Sequence, residues 1–304
     1  MSRVHKTRSF ERVGLADLPE AATYVFTDGG TEARAALDVW SEMSTSSPEK
    51  CLRVQQVDWQ EVSLERAGKT ERVSLRDDSA LTGLLSGDAV CIDMSGLPHH
   101  VWAPMLRVAL ASAPSVHVVY VEPAEYRRHT SPASVSLFDL SDGYHGVLPL
   151  PGFATLSAEV YKDAVLVAFL GFEGTRARHV AATLDPPPKV VPVIGVPGFR
   201  VEFPTVAVAC NQEFLTDHSA HANVQLANAT CPFEAYDLLT EVRRDNPKSL
   251  LQIAPVGTKP HALGAVLYAI DHQTGTELIY DNPKRKPNRT QGVGTVHVYT
   301  VKGG

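Results

Sequence analysis

The sequence predicts an α/β protein built from two Rossmann-like halves with mainly parallel sheets, and three observations support this. Strand-like apolar runs alternate with helical patterns along the 304 residues. These runs are nearly continuous in apolar residues, which is typical of parallel strands covered by helices on both faces. Two short motifs recur in the same order. We therefore predict a first half over residues 1–150 and a second half over residues 151–304, related by internal duplication.

The order of elements follows from the periodicity of the apolar residues. Strands are predicted at 24–27, 51–57, 89–94, 116–121, 164–170, 190–194, 206–209, 250–253, 276–280 and 295–301. Helices are predicted at 31–43, 102–111, 175–184, 232–244 and 260–271. In this arrangement each βα turn lies at the carboxyl edge of a parallel sheet, where ligands of such folds bind.

The recurring motifs support the duplication. The first motif is Gly30-Thr31-x-Ala33-Arg34, which recurs as Gly174-Thr175-x-Ala177-Arg178. The second motif is a turn glycine, a Pro-His pair, a helix and a strand that ends in Tyr-x-x-Pro. It runs from Gly96 to Pro123 and again from Gly257 to Pro283. Two duplicated halves would bring their carboxyl edges together around one composite cleft.

Composition restricts the class of function. The net charge is −6, so we expect any nucleotide site to be a local basic patch and not a general property of the surface. The longest apolar stretch is far shorter than the roughly 20 residues of a membrane helix, and the basic N-terminal segment has no apolar core of a secretory signal. The four cysteines form no CxxC pair. We therefore expect a cytoplasmic protein without a membrane partner.

An anion site is predicted at the start of the helix over residues 260–271. Gly257 allows a tight turn after a strand, Thr258 can cap the helix, and Lys259 adds a positive charge at the positive end of the helix dipole. His261 lies in the first helical turn beside them. The alternative is an ordinary capped helix whose lysine faces solvent. The spacing of a P-loop is absent, so the segment does not predict that class of nucleotide site.

A basic loop follows the next strand and carries Lys284, Arg285, Lys286 and Arg289. Because loops that follow parallel strands leave the sheet at one edge, we expect these cations to face the same cleft as Lys259. Such a loop would be mobile when empty and ordered by a phosphate, and binding would weaken steeply with salt. The alternative is a solvated basic turn.

Further candidates are less specific. Gly96 occupies the position of Gly257 in the first half, and Arg34 and Arg178 point either into the cleft or into water. Asp93, Glu122 and Glu173 follow predicted strands and are candidate acids or bases. The segment Asp217-His218-x-x-His221 favours a polar loop over a metal site. No cofactor and no metal are therefore predicted, and no catalytic residue is assigned.

The run of a strand, Gly257-Thr258-Lys259-Pro260, a helix and a strand that ends at Tyr280 resembles the CRISPR-associated Rossmann-fold (CARF) sensors. The run from Ile92 to Gly96 is similar to the same element without the lysine. The duplication resembles the SAVED sensors, which have two CARF-like halves.

The resemblance implies a cyclic or linear oligonucleotide ligand in prokaryotic antiviral signalling, with Gly257, Thr258 and Lys259 at ligand-loop positions. CARF sensors usually carry an effector domain, and none is evident in this sequence. The resemblance therefore implies either a protein partner with an effector activity or cleavage of the ligand by the chain itself.

Three functions are consistent with these patterns. The first is an intracellular sensor that binds a phosphorylated nucleotide or oligonucleotide in a basic cleft between two halves. The second is an enzyme that acts on a nucleotide or phosphorylated small molecule in the same cleft. The third is a non-catalytic subunit of a larger assembly. Converging cations without an acid–base pair favour the first, and a carboxylate within reach of a histidine in the cleft favours the second. A flat apolar edge favours the third.

Overall fold

The structure, a computed structural model, describes residues 5–28, 32–133, 136–155 and 163–302. Gly30 and Thr31 of the first recurring motif lie outside the described residues. The strands are β1 (His5–Phe10), β2 (Thr23–Phe26), β3 (Cys51–Gln56), β4 (Glu61–Arg66), β5 (Lys69–Ser74), β6 (Ala89–Asp93), β7 (Ser115–Val121), β8 (Glu125–Tyr126), β9 (Arg128–Ala133), β10 (Ser136–Phe138), β11 (Ser141–Tyr144), β12 (Leu148–Pro149), β13 (Ala164–Phe169), β14 (Lys189–Gly195), β15 (Gln225–Ala227), β16 (Leu250–Pro255), β17 (Thr276–Tyr280), β18 (Pro283–Arg285), β19 (Thr290–Gln291) and β20 (Val296–Lys302). The helices are α1 (Asp38–Ser46), α2 (Asp78–Leu84), α3 (His99–Ser112), α4 (Gly174–Ala182), α5 (Phe203–Cys210), α6 (Gln212–Asp217), α7 (Pro232–Asp245) and α8 (Lys259–Asp271).

The chain divides into two compact units. The first unit contains residues Met1–Arg127 and Pro287–Gly304, and the second contains Arg128–Lys286. The sequence-based division placed the boundary at residue 150 and assigned the C-terminal strand to the second half. In the structure β20 pairs with β1 and β7, so the C-terminal residues belong to the first unit.

The first unit contains an eight-stranded mixed sheet with the order β1-β20-β7-β6-β2-β3-β4-β5. Its four middle strands, β7, β6, β2 and β3, are parallel. The pairs on both flanks are antiparallel. Every residue of β2 and β6 is buried, as expected for parallel strands covered on both faces. The predicted parallel sheet is therefore present as the centre of a larger mixed sheet.

The hairpin β4–β5 forms one flank of this sheet. Ala67 and Gly68 both have positive φ, 49° and 78°, and connect Arg66 to Lys69. Positive φ at both central residues matches the tight turn that suits the twist of a hairpin. Val62 and Leu64 are buried between more exposed neighbours, so this strand has one covered face. The hairpin was not among the predicted elements.

The second unit contains a six-stranded sheet with the order β12-β17-β16-β13-β14-β15. All pairs in it are parallel except that of the short edge strand β12 with β17. Here β17, β16, β13 and β14 have the same mutual order as β7, β6, β2 and β3 in the first unit. Each unit is therefore of the α/β class with a parallel centre, as the sequence predicts.

The indole ring of a buried tryptophan, Trp40, lies in the hydrophobic core of the first unit. Trp40 of α1 stacks on Phe26 of β2, with ring centroids 5.1 Å apart and planes 7° apart. Its Nε1–H donates to Asp93 Oδ2 at 2.8 Å, and Asp93 Oδ1 accepts the backbone N–H of Ser95 at 2.8 Å. The Ser95 hydroxyl in turn accepts the N–H of Val121 at 2.9 Å. Asp93, a candidate acid or base, therefore connects α1 to the turn after β6.

Two predicted elements differ from the structure. Residues 206–209 were predicted as a strand, and this is wrong, because they belong to helix α5. Pro204 fits the first helical turn, and the buried residues Ala207 and Cys210 are three positions apart, which is a helical spacing. The helix predicted at 31–43 begins later, at Asp38, after a short 3₁₀ turn at Ala33–Ala35.

No helix in the described part of the chain is both long and apolar enough to cross a membrane.

A substitution at Gly264 can test how closely α7 packs against α8. A Cβ atom at Gly264 would lie 2.1 Å from the carbonyl oxygen of Pro232, so the two helix backbones approach too closely for any side chain. We expect Gly264→Ala to lower the free energy of unfolding by about 1–3 kcal/mol through overpacking. Gly83 of α2 is the matched control, since a Cβ atom at that position would have no neighbour within 4 Å. Gly83→Ala should raise stability by about 0.5–1 kcal/mol. Urea unfolding that shows the same sign for both variants would contradict this packing.

Candidate anion-binding site

The turn between β16 and α8 lies against the end of the neighbouring strand β13. A Cβ atom at Gly257 would be 2.8 Å from the carbonyl oxygen of Leu170 and 3.0 Å from that of Phe169. A Cβ atom at Gly171 would be 3.1 Å from the carbonyl oxygen of Val256. The two turns at the carboxyl edge therefore pack backbone to backbone, which requires glycine on the β16 side.

Thr258 caps α8 and joins it to the loop after β15. Its Oγ1 accepts the backbone N–H of His261 at 3.3 Å and donates to the carbonyl oxygen of Ala229 at 3.0 Å. Pro260 occupies the first turn, where its missing N–H costs no helical hydrogen bond. The predicted helix start is confirmed, with α8 beginning one residue earlier than expected.

Lys259 is the first residue of α8 and is only 6% exposed. The side chain was expected either in an anion site or in solvent, and it is not in solvent. The amino end of a 13-residue helix carries a partial positive charge from its aligned peptide dipoles. The buried lysine at this end makes the start of α8 the candidate anion site of the second unit.

His261 is completely buried behind this turn. Its Nε2 lies 3.0 Å from the carbonyl oxygen of Asn228, which can only accept, so Nε2 carries the proton. Its ring centroid is 5.1 Å from that of Phe169. Burial lowers the pKa of His261 to about 4, although the carbonyl oxygens of Asn228 and Ala227 oppose this shift. The imidazole is therefore neutral near pH 7, and its Nδ1 atom has no hydrogen-bond partner among the described residues.

A buried ion pair supports the turn from the other side. The Nε and Nη2 atoms of Arg176 donate to the two carboxylate oxygens of Asp281 at 2.8 and 2.7 Å. Nη1 donates to the carbonyl oxygen of Val256 at 3.2 Å, one residue before Gly257. Asp281 is fully buried, and the guanidinium lies over the ring of Tyr280, 5.4 Å from its centroid. Burial alone would lower the pKa of Arg176, but the charge and hydrogen bonds of Asp281, together with Tyr280 and Glu173, outweigh it and raise the pKa, so the pair stays ionised.

The corresponding edge of the first unit has a similar arrangement. Arg34 is buried, its Nε donates to Glu32 at 3.1 Å, and its Nη1 donates to the carbonyl oxygen of Val121. Its guanidinium lies 5.2 Å from the ring centroid of Tyr120. A Cβ atom at Gly96 would lie 2.5 Å from Thr27 Cγ2, so the turn after β6 packs closely on the turn after β2. Arg34 is thus an internal group of the fold and does not point into water.

Three of the other predicted cations, Arg178, Lys286 and Arg289, pair with carboxylates. Arg178 is partly exposed on α4 and pairs with Glu213 and, at 3.0 Å, with Asp217. Lys286 pairs with Asp139 at 2.5 Å and with Asp142 at 3.3 Å, and Arg289 pairs with Glu32. Lys284 is exposed and Arg285 is half-buried on β18.

The structure therefore brings Gly257, Thr258, Lys259 and His261 together in the second unit. It brings Arg34 and Arg289 together on Glu32 in the first unit. The approach of the basic loop to Lys259 stays a prediction. Among the described residues, no group of three histidine, cysteine or acidic side chains could hold a metal ion.

The sequence analysis missed Arg176, Asp281 and Glu32. The motif comparison selected Arg178 as the partner of Arg34, but Arg176 is the buried arginine of the second unit. A helical signal favoured it, because Arg176 and the buried Val180 are four positions apart and share one face of α4. Asp281 directly follows a buried strand, which is the position of a functional or structural acid in parallel sheets.

One open cleft of about 580 Å³ lies in the second unit away from this turn. It is lined by the ends of α7 and α8 and the residues that follow them, among them Arg243, Asp271 and His272. The guanidinium of Arg243 donates to the carbonyl oxygens of Ser249, at 2.7 Å, and Gly275. This cleft lies near the amino ends of the parallel strands, so it does not contain the predicted residues.

The fold and this turn define an α/β protein with a capped, cationic helix start at the carboxyl edge of a parallel sheet. The sequence matches no known protein-family model, and no curated protein resembles it significantly in sequence.

Arg176 and Arg178 allow a matched test of the buried ion pair. Replacing Arg176 with Met leaves Asp281 buried and unpaired, so we expect a loss of about 3–5 kcal/mol in the free energy of unfolding. Arg178→Met, two residues away on the same helix, removes only two exposed ion pairs, with Glu213 and Asp217, and should cost less than about 1 kcal/mol. Chemical denaturation measures both, and equal losses would show that the Arg176 pair does not support the edge.

The burial of the neutral His261 imidazole predicts that the stability of the protein falls at acidic pH. Because burial lowers its pKa to about 4, the unfolded chain binds this proton more readily than the folded chain. The free energy of unfolding should therefore fall as the pH drops from about 6.5 to about 4, with a slope of up to about 1.4 kcal/mol per pH unit from this group. His261→Gln, whose amide can still donate to Asn228, should flatten this part of the profile. An unchanged slope in urea titrations would contradict the assignment.

Proposed function

We propose that the protein is a sensor that binds a phosphorylated ligand, a nucleotide or an oligonucleotide, at the carboxyl edge of the second unit's parallel sheet. The observation that carries this proposal is the burial of Lys259 as the first residue of α8, two residues after Gly257, which packs against the end of a neighbouring strand. Helix amide groups, the helix dipole and an ammonium group together favour a phosphate. The resemblance of Gly257-Thr258-Lys259-Pro260 to the ligand loop of CARF sensors supports the same ligand class.

The proposal includes an origin by duplication. Four parallel strands have the same mutual order in each unit. In each unit an arginine that follows β2 or β13, the first of these four strands along the chain, is buried and pairs with a carboxylate. Each guanidinium also lies over a tyrosine of another strand. These shared features support a common ancestor for the two units. A role in prokaryotic antiviral signalling, through a protein partner with effector activity, stays a prediction from the resemblance.

An enzyme that uses the same turn has less support. The histidine of the turn, His261, bonds through Nε2 to a backbone carbonyl and not to a carboxylate. The candidate acid Glu173 accepts from the hydroxyl of Ser141 at 3.1 Å and lies 3.8 Å from Arg176. These contacts hold Glu173 within a structural cluster, so binding without turnover is the function we propose for this site.

Lys259 provides the test of the ligand class. We expect Lys259→Met to weaken binding of ADP or of a 5′-phosphorylated tetranucleotide by about tenfold to hundredfold, because a charge-assisted contact contributes about 1.5–3 kcal/mol. Isothermal titration calorimetry with the purified protein measures the Kd. The matched control is Lys248→Met, an exposed lysine of the same unit that precedes β16. Equal affinity for the wild type and Lys259→Met, at unchanged Tm, would refute the site.

A further inference from the structure

Three polar side chains form a hydrogen-bonded row on one face of the first unit's sheet. Ser9 of the edge strand β1 lies directly opposite His297 of β20, and His297 lies opposite Tyr120 of β7. Glu122 follows two residues after Tyr120 and therefore projects to the same face. The Ser9 hydroxyl oxygen is 2.8 Å from His297 Nδ1, and His297 Nε2 is 2.6 Å from Glu122 Oε1.

The chemistry of the row fixes its proton arrangement. An ionised carboxylate only accepts hydrogen bonds, so Glu122 holds the proton of His297 on Nε2. The lone pair of Nδ1 is then directed at Ser9, whose hydroxyl donates to it. A nucleophile within hydrogen-bond reach of a base, with the base oriented by a third group, is the arrangement that activates serine in acyl transfer.

The surroundings hold the imidazole and leave the serine accessible. His297 is 5% exposed, whereas Ser9 is an exposed residue of the edge strand. The rings of Tyr120 and Tyr299 are nearly parallel to the imidazole, at 15° and 9°, with centroids 6.3 and 6.0 Å away. The backbone N–H of Glu122 donates to the carbonyl oxygen of Thr295 at 2.9 Å, which fixes the carboxylate beside β20.

We propose that Ser9, His297 and Glu122 form a nucleophilic site that hydrolyses acyl esters. Ser9 and His297 are its catalytic residues, and Glu122 is a positioning residue. None of the three belongs to the anion site of the second unit, so this activity and the proposed ligand binding can each fail without the other.

The reaction balances with water as the co-substrate. Ser9 Oγ attacks the ester carbonyl carbon while its proton passes to His297 Nδ1, and Glu122 stabilises the imidazolium through Nε2–H. The tetrahedral adduct collapses, the bond to the alkoxy group breaks, and that group leaves with the proton from Nδ1. Water, deprotonated by His297, then attacks the acyl-serine. The carboxylic acid is released, and the proton returns to Ser9.

A second serine and histidine pair on the same sheet provides a control. The Ser115 hydroxyl lies 3.5 Å from His117 Nε2, and His117 Nδ1 lies 2.9 Å from the hydroxyl of Thr300. No hydrogen bond described for this pair reaches a carboxylate, and burial lowers the pKa of His117. The Ser115 pair therefore has a serine and a histidine but no counterpart of the Glu122 carboxylate.

The test uses a fluorophosphonate probe and p-nitrophenyl acetate on the full chain. We expect the probe to label Ser9, identified by peptide mass spectrometry, and Ser9→Ala to abolish labelling and ester hydrolysis. Ser115→Ala should leave both unchanged. Glu122→Gln keeps the size of the side chain but removes its charge. It should lower kcat by about tenfold or more at a similar KM. A merely structural role for Glu122 would instead change Tm and leave kcat/KM unchanged.

Two results would overturn the proposal. One is labelling of wild-type protein no faster at Ser9 than at Ser115. The other is ester hydrolysis that survives Ser9→Ala at the wild-type rate. Because Ser9 is exposed, Ser9→Ala is not expected to prevent folding, and a melting curve of each variant verifies this.

Discussion

One buried guanidinium in each unit determines the geometry of the turns at the carboxyl edge. An arginine removed from water must satisfy its donors, so the chain has to supply a carboxylate and a carbonyl oxygen at fixed positions. In the second unit Asp281 supplies the carboxylate, and Val256 supplies the carbonyl oxygen immediately before Gly257. The position of the candidate site therefore depends on a buried charge pair between α4 and the residue that follows β17.

The pairing of cations with carboxylates also bears on the proposed anion site, because the protein is acidic overall. Several of the predicted cations neutralise acids within the fold, as Arg178 does with Glu213 and Lys286 with Asp139. A phosphate near such pairs would compete with carboxylates and gain little from the total charge. Affinity would then come from individual groups oriented toward the phosphate. These are the backbone amides at the capped start of α8 and the ammonium group of Lys259.

The sequence predicted the parts of the fold that depend on local pattern. The buried strands, the helix start at residues 258–260 and the glycine at 257 were all predicted, because continuous apolar runs and capping residues determine them locally. The pairing of β20 with β1 and β7 was not, because its partners lie nearly 300 and about 180 positions away along the chain and have no local signal. The Arg176–Asp281 pair was missed for the same reason, since 105 positions separate its members. The strand β4 did have a signal in the sequence, because the apolar Val62 and Leu64 alternate with polar residues. It was missed because strands were predicted only from continuous apolar runs.

The hairpin also determines how the eight-stranded sheet ends. Its outer strand β5 presents Lys69, Glu71 and Arg72 to solvent, and the opposite edge strand β1 carries Lys6 and Arg8. An unpaired edge offers backbone groups to any extended chain, and charged side chains along it make the addition of another strand unfavourable. An extended peptide that pairs with either margin would have to bury these charges. The charges on both edge strands therefore oppose edge-to-edge polymerisation of the sheet.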